Sequence, residues 1–463
     1  MKLLGQLRLI GRITSILLFL TVIIYSFFVP GYLHVFVIGL IYLAANLAAY
    51  LNVILNPHRG GVSFMYYFFF TFFVALPAVI QVKLQVFPWY AQFSVGELAS
   101  AYTILSVAQL SYVIAEFRFD QRWNRSFKKA QNFGSVVNPK FYWYAAAFFA
   151  VICMLIIIYL GPDVLFLTRG ERGQELVGEG ISQQLLYIAR SLSLLMIIIS
   201  LYLNQHRSFK SNHLLYSISS IAFVVVFFVL NYPPGLARFQ LMGAVIAISA
   251  VYVNYFSSKI KAIGCIAAVL FLLFLFPTIK QFGQGTADNF WREAMNRESL
   301  EYLRSVDFDA FNQAANTAIY IEDGSYRWGY NFLGVALFFV PRSIWPAKPV
   351  DSGYLVSSDL GYAYTNVGNP LPAEAFISFG YPGIILLFYL LSIGICKMEL
   401  IVSKTNYRDT LYQSAFVYCL TMGFITIILR GALNGIAPQF ATGFLAFFVL
   451  KFLHDKTTIP KIL

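Results

Sequence analysis

Twelve apolar stretches, each close to the length of a membrane crossing, divide this 463-residue chain. A bilayer core is crossed by about 20 consecutive apolar residues in a helix. In lipid the backbone must satisfy its own hydrogen bonds, so such stretches have few options besides helix. They lie near 11–29, 32–54, 63–83, 97–116, 141–160, 183–203, 214–231, 240–256, 262–279, 376–396, 411–430 and 438–453. The expected fold class is therefore all-α, a polytopic integral membrane protein of about twelve helices. Composition agrees, with 59% hydrophobic and only 12% charged residues, where a soluble domain carries about 25% charged. The basic start, Met1 to Arg12, leads into Ile13–Val29 with no small-residue cleavage site after it, which reads as a first membrane helix and not a signal peptide. Cys153, Cys265, Cys396 and Cys419 all fall in apolar sequence and read as small buried hydrophobes.

Orientation follows from lysine and arginine in the short loops. Lys2, Arg8 and Arg12 precede the first stretch, and Arg59 follows the second. Arg118, Arg122, Arg125, Lys128, Lys129 and Lys140 crowd the loop after the fourth. Lys259 and Lys261 follow the eighth, and Lys451, Lys456 and Lys461 close the chain. Every even-numbered loop is basic, which places both termini in the cytoplasm. The net charge of +12 is largely this topology signal. No soluble basic domain carries it, so nucleic acid is not an expected partner.

One interruption breaks the apolar pattern. Residues 280–372 are mixed polar, aromatic and charged, and by the loop pattern they lie on the outer side. Connections have a median of roughly 4–6 residues, and much longer ones are usually functional. The chain thus divides into 1–279 with nine spans, a large outer loop over 280–375, and 376–463 with three spans and a cytoplasmic end. The loop is not basic: from 281 to 372 six Lys or Arg face ten Asp or Glu. Asn289–Arg304 and Asp309–Tyr320 read as helices, Glu322–Ser325 as a turn, and Phe332–Val340 as an apolar piece too short to cross. Aromatics recur at Tyr326, Trp328, Tyr330, Trp345, Tyr354, Tyr362 and Tyr364. They suit either an interfacial belt or sugar rings. Trp345, Tyr354, Tyr362 and Asp351 are the candidate sugar contacts.

Arginines on the outer side run against the topology bias. They are Arg169 and Arg172 after the fifth span, Arg190 inside the sixth, Arg238 opening the eighth, Arg342 in the large loop and Arg430 ending the eleventh. Charge inside or beside a bilayer usually faces a cavity or a partner. Guanidinium forks bind phosphate oxygens bidentately. Arg169, Arg172, Arg238, Arg342 and Arg430 are accordingly candidate ligands for a diphosphate. Arg169 and Arg172 could equally pair with Glu171 and Glu175, and Arg430 could snorkel to the interface.

Chemistry on the outer side must come from few groups. His58, His206, His213 and His454 fall on the cytoplasmic side, His34 near an interface, and none in the large loop. No paired His or Cys spacing points to a metal, and no nucleotide-binding loop is present, so no cofactor is expected. Glu374 stands at the start of the tenth span in Pro370–Gly383. A carboxylate facing an outer cavity there could act as general base on a sugar hydroxyl. It could also merely complement a helix dipole. Asp351 and Asp359 are weaker alternatives.

Val340-Pro-Arg-Ser-Ile-Trp-Pro-Ala-Lys-Pro349, followed by Glu374 and Phe379-Gly-Tyr-Pro-Gly383, resembles the Wzy-type O-antigen polymerases. The late large loop and the Pro-Pro-Gly-Leu-Ala-Arg238 element are similar to that family as well. The resemblance implies a GT-C-like glycosyltransferase of the bacterial inner membrane. It would join undecaprenyl-diphosphate-linked oligosaccharide units on the periplasmic face, with lipid-linked oligosaccharide as both donor and acceptor. A chain-length co-polymerase and a flippase are implied partners. Arg169, Arg172, Arg238 and Arg342 would hold the leaving diphosphate, with Glu374 as base. The related O-antigen ligases rely on a histidine in the large loop, which this chain lacks. A flippase for the same lipids is the competing class, but no repeat of two similar halves is visible.

Overall fold

The computed structural model describes residues 2–89, 92–126, 138–167, 180–205, 213–272, 301–322, 324, 326–404 and 413–458. Among these residues there is helix and connection but no strand, and nine helices are long and apolar enough to cross a membrane. The chain folds as a polytopic membrane protein. Arg169, Arg172, most of the helix expected at 289–304 and the end of the ninth expected span lie outside the described residues.

The first long helices are α1 (Lys2–Ser26), α2 (Tyr32–Leu55), α3 (Gly61–Phe69) and α4 (Leu76–Leu84). A π-helical turn at Phe70–Ala75 joins α3 to α4, so the two act as one span from Gly61 to Leu84. Next come α5 (Val95–Ser126), α6 (Pro139–Leu165), α7 (Gly180–Gln205), α8 (His213–Leu230), α9 (Arg238–Tyr252) and α10 (Ser258–Leu270). The insert supplies short helices: α11 (Ala310–Ile321), α12 (Tyr330–Ala336) and α13 (Ser352–Asp359). The chain then returns as α14 (Leu371–Lys404), α15 (Gln413–Arg430) and α16 (Leu433–Thr458). The expected second insert helix is present as α11, within a residue of its bounds, and the short apolar piece begins as α12 without crossing.

Where two helices meet closely, small residues permit it. A Cβ on Gly243 of α9 would come within 2.4 Å of the Gly423 carbonyl oxygen of α15, and one on Gly423 within 2.6 Å of the Gly243 oxygen. Backbone contact of this kind replaces the hydrophobic drive that lipid cannot supply between helices.

The end of the bundle that carries Lys2 and Thr458 is tied by charge. Arg59, 1% exposed, places Nε 2.8 Å from Glu116 Oε1 and Nη2 2.6 Å from Asp120 Oδ1. Arg12 reaches the other Asp120 oxygen. Lys261 donates to the carbonyls of Val53, Asn56 and Arg59 at 2.6, 2.6 and 2.9 Å. Glu399 accepts from the Ser63 backbone N–H at 2.8 Å and its hydroxyl at 2.7 Å. Helices α1, α5, α10 and α14 are thereby fastened to the α2–α3 connection.

The long helix α14 is not continuous. Its first turns, Leu371 to Ser378, are buried throughout. At Phe379 and Gly380 the backbone leaves the helix, with Gly380 at φ 64°, a left-handed conformation open to glycine at little cost. Pro382 follows and could not have donated to the ladder. Beyond it the helix presents Ile385, Leu386 and Leu390 outward, as a lipid-facing span should.

Candidate functional site

The insert docks onto the opposite end of the bundle through two arginines. Arg238, at the first position of α9, donates from Nη1 to Asp307 Oδ2 at 2.9 Å and to the Tyr302 hydroxyl at 2.8 Å. That hydroxyl donates in turn to Asp307 Oδ2 at 2.7 Å. Arg430, the last residue of α15, donates to the Val306 carbonyl at 3.1 Å and lies 3.4 Å from Asp309 Oδ1. Its guanidinium sits 4.4 Å from the Phe239 ring centroid, a cation–π contact. Asp309 Oδ2 accepts from Trp89 Nε1 at 3.2 Å. Burial nevertheless holds the Asp309 carboxyl above its ordinary range, outweighing Arg430. Gln81 completes the clasp with bonds to the Leu303 and Phe308 carbonyls at 3.1 and 2.9 Å.

Glu374 forms the second centre. Helix α14 begins at Leu371, earlier than the apolar pattern alone indicates, so Glu374 falls in its first turn and is 1% exposed. It does not line an open outer cavity in this structure, because α13 and the start of α16 cover it. Its Oε1 accepts from the Ser352 hydroxyl at 2.6 Å and from the Leu433 backbone N–H at 2.9 Å. Asp351, next in line, accepts from Gly353 N at 2.9 Å and Gly435 N at 3.1 Å. Two carboxylates therefore meet the N-terminal backbone donors of α16, where the helix dipole favours negative charge. Burial still pushes the Asp351 carboxyl up to about 6. Among the described residues no cation pairs with either group.

From Glu374 a polar chain runs into the insert. Ser352 accepts from Asn369 Nδ2 at 3.1 Å, and Asn369 Oδ1 accepts from the Thr317 hydroxyl at 3.3 Å. Thr317 belongs to α11, whose Asn312, Gln313 and Asn316 are also buried. Tyr362 joins them by donating to Asn316 Oδ1 at 2.9 Å.

The remaining expected residues scatter. Arg342 bends back and donates to the Lys348 and Pro349 carbonyls at 2.7 and 3.3 Å. Lys348 donates to the Phe338 and Val340 carbonyls at 2.7 and 3.0 Å. The Pro-Arg-x-x-Trp-Pro-x-Lys-Pro element thus caps its own turn. Trp345 packs edge-on against Tyr330 with centroids 5.8 Å apart, and the Tyr354 ring is exposed, only its backbone meeting Asp351. Arg190 is buried and donates from Nε to the Leu230 carbonyl at the end of α8, 3.0 Å away. So Glu374, Asp351 and Tyr362 share one polar region, Arg238 and Arg430 share another, and the side chains of Arg342, Trp345 and Tyr354 stand apart.

Several residues of the site carried a signal that the apolar pattern hid. Asn312, Gln313, Asn316 and Thr317 fall at i, i+1, i+4 and i+5, one face of α11. Asp307 and Asp309 sit among apolar neighbours, where a carboxylate needs a partner. Among the described residues no group of three or more His, Cys, Asp or Glu is placed to hold a metal ion. Comparison with family models, with characterised proteins and with solved structures finds no match.

Proposed function

We propose that the chain is a membrane glycosyltransferase that polymerises undecaprenyl-diphosphate-linked oligosaccharide repeat units. The observation that carries this reading is the carboxylate pair of buried Glu374 and half-buried Asp351, held by neutral donors alone where the polar insert meets the membrane helices. Burying a carboxylate without a cation costs stability. Groups kept in such places are often those that move protons. The sequence resemblance to the Wzy-type polymerases supplies the reaction, and it brings with it a GT-C-like fold of about twelve spans. In that reading the insert is periplasmic, both termini are cytoplasmic, and the membrane is the bacterial inner one.

In the reaction, the bond between the anomeric carbon of the growing chain and its diphosphate breaks. A hydroxyl of the next lipid-linked unit attacks that carbon, its proton passes to Glu374, and undecaprenyl diphosphate leaves. The energy resides in the glycosyl diphosphate, so no nucleotide enters. The chain Glu374–Ser352–Asn369–Thr317 orients the base toward the polar face of α11. Arg238 and Arg430 would exchange their aspartate partners for phosphate oxygens and stabilise the departing charge. Helix α13 must shift for substrate to reach Glu374.

One observation favours transport of the same lipids instead. Tyr102, Ser106, Gln109, Tyr112 and Glu116 form a buried polar stripe along α5, and polar groups at membrane depth often mark pathways. Purified protein given a synthetic lipid-linked unit should build a ladder of longer lipid-linked chains. In cells, loss of the protein should leave single-unit surface glycan and remove long chains. Loss of all surface glycan would support transport or ligation and remove the polymerase reading.

A further inference from the structure

Of the outer arginines described above, each has its fork occupied: Arg238 and Arg430 by aspartates, Arg190 and Arg342 by carbonyls. Arg327 is different. Its backbone N–H donates to the Ile377 carbonyl at 2.8 Å, just before the break in α14. Its side chain takes no carboxylate and no carbonyl among the described residues. It meets only the Tyr320 hydroxyl and the face of Tyr330, whose centroid is 5.9 Å from the guanidinium carbon. Nε is buried without a hydrogen-bond partner, as it is in Arg430, but among the described residues Arg327 has no carboxylate to compensate. A guanidinium with donors unspent is poised for an anion.

The surroundings say what kind of anion. Arg327 lines an open depression of about 610 Å³ with Trp328, Tyr330 and Leu333. Trp328 is 77% exposed and Leu333 47%. The depression lies on the break in α14: Gly329 packs so closely on Phe379 that a Cβ would come within 2.4 Å of the ring, and Phe332 stacks on Phe379 at 6.5 Å. Phe379 is itself 45% exposed, and Ile385, Leu386 and Leu390 farther along α14 are exposed as well. One cation therefore stands at the end of a membrane-spanning helix whose outward residues are apolar. That is the pattern of a phosphate headgroup joined to a long hydrocarbon chain. A plain aromatic belt accounts for exposed Trp and Tyr, but not for an arginine with unspent donors.

Trp328 adds a second argument. Its backbone sits at φ 48°, in the left-handed region, which strains a bulky residue. Glycine would take that conformation freely. A tryptophan there keeps its ring in the depression at the expense of backbone strain.

We propose that Arg327, Trp328, Tyr330 and Leu333 form a membrane-side seat for the phosphate headgroup of a lipid, with the hydrocarbon chain lying along α14. In the polymerase reading it is where lipid-linked substrate first docks from the bilayer, and only that identification rests on the reading. The seat itself does not involve Glu374.

The test measures binding without turnover. Full-length protein purified in detergent is titrated with a polyprenyl diphosphate, with phosphatidylglycerol and with inorganic diphosphate, following adducts by native mass spectrometry. The expected result is lipid binding that weakens at least tenfold in Arg327→Gln and severalfold in Trp328→Gly, with inorganic diphosphate far weaker than either lipid. Trp328→Gly relieves the strained backbone, so a thermal midpoint at or above wild type confirms that its fold is intact. Binding of both lipids makes the seat a general phospholipid site, and binding of the polyprenyl diphosphate alone makes it a substrate site. Unchanged lipid affinity in both variants would overturn the seat. Equal affinity for inorganic diphosphate would overturn the role of the outward apolar residues of α14. Neither outcome touches polymerisation, which is read separately from chain ladders.

Discussion

The two ends of the helical bundle bury carboxylates in opposite ways. At the end carrying Lys2 and Thr458, Glu116 and Asp120 are matched by Arg12 and Arg59 at ion-pair distance, and Glu399, bonded to Ser63, lies within the field of Arg59 and Lys261. At the insert end, Glu374 and Asp351 are held by a serine hydroxyl and backbone N–H groups, without a cation. Asp307 and Asp309 nearby do have arginines, but these also bind carbonyls, a phenol and an aromatic face. A compensated cluster is what structural fastening requires. An uncompensated pair weakens the fold where it sits, and needs another reason to be there. On the proposed function, the first end fastens the bundle and the second is where the chemistry would take place.

The largest effect is expected at Arg59. Arg59→Ala would leave Glu116 and Asp120 short of a buried cation, a loss of about 3–5 kcal/mol. The expected outcome is a sharply lower thermal midpoint in detergent. Adding Glu116→Gln and Asp120→Asn should recover part of the loss. A midpoint within a degree of wild type for the single variant would show that the cluster fastens nothing.

Arg238 sharpens the insert end. If its fork turns to phosphate in the working enzyme, Arg238→Ala loses a charge-assisted contact of about 1.5–3 kcal/mol, read as a large fall in chain growth with normal membrane insertion. Arg238→Lys should rescue only partly, because an ammonium lacks the bidentate fork. Asp307→Asn should keep most activity, since it frees the guanidinium. Full activity in the alanine variant would leave Arg238 as a clasp for the insert alone.

The smallest effect concerns Asp351. Its folded value is raised by burial from 3.8 to about 6. A raised carboxyl stabilises the fold at low pH, and that contribution is lost as pH rises through about 6. The wild-type thermal midpoint should therefore drop between pH 5 and pH 7.5. In Asp351→Asn this component should be absent, flattening the curve. Identical pH profiles for the two proteins would contradict the assignment.

The membrane architecture was legible in part because lipid leaves a chain few choices: nine described helices have the length and composition of a crossing, while the seventh and eighth expected stretches give the shorter apolar helices Ser217–Leu230 and Arg238–Tyr252. The special places at Arg238, Arg430 and Glu374 were also visible, since charge at a span boundary is unusual. Their partners were not. Asp307 lies 69 positions from Arg238 and Leu433 lies 59 from Glu374, and no local period records such pairings. Arg59 and Lys261 looked like ordinary topology markers because they sit in short basic loops, yet both are buried. Loop charge says which side a residue occupies and is silent on whether it faces water.

The most direct test is Glu374→Gln in purified protein, with chain growth and thermal midpoint measured on the same sample. The amide keeps the shape and removes the proton acceptor. General-base catalysis contributes roughly 10²- to 10⁴-fold, so a rate loss of that size is expected, with a midpoint equal to or above wild type. Near-normal chain growth with a lowered midpoint would make Glu374 a cap on α16 and contradict the division of the two ends into fastening and chemistry.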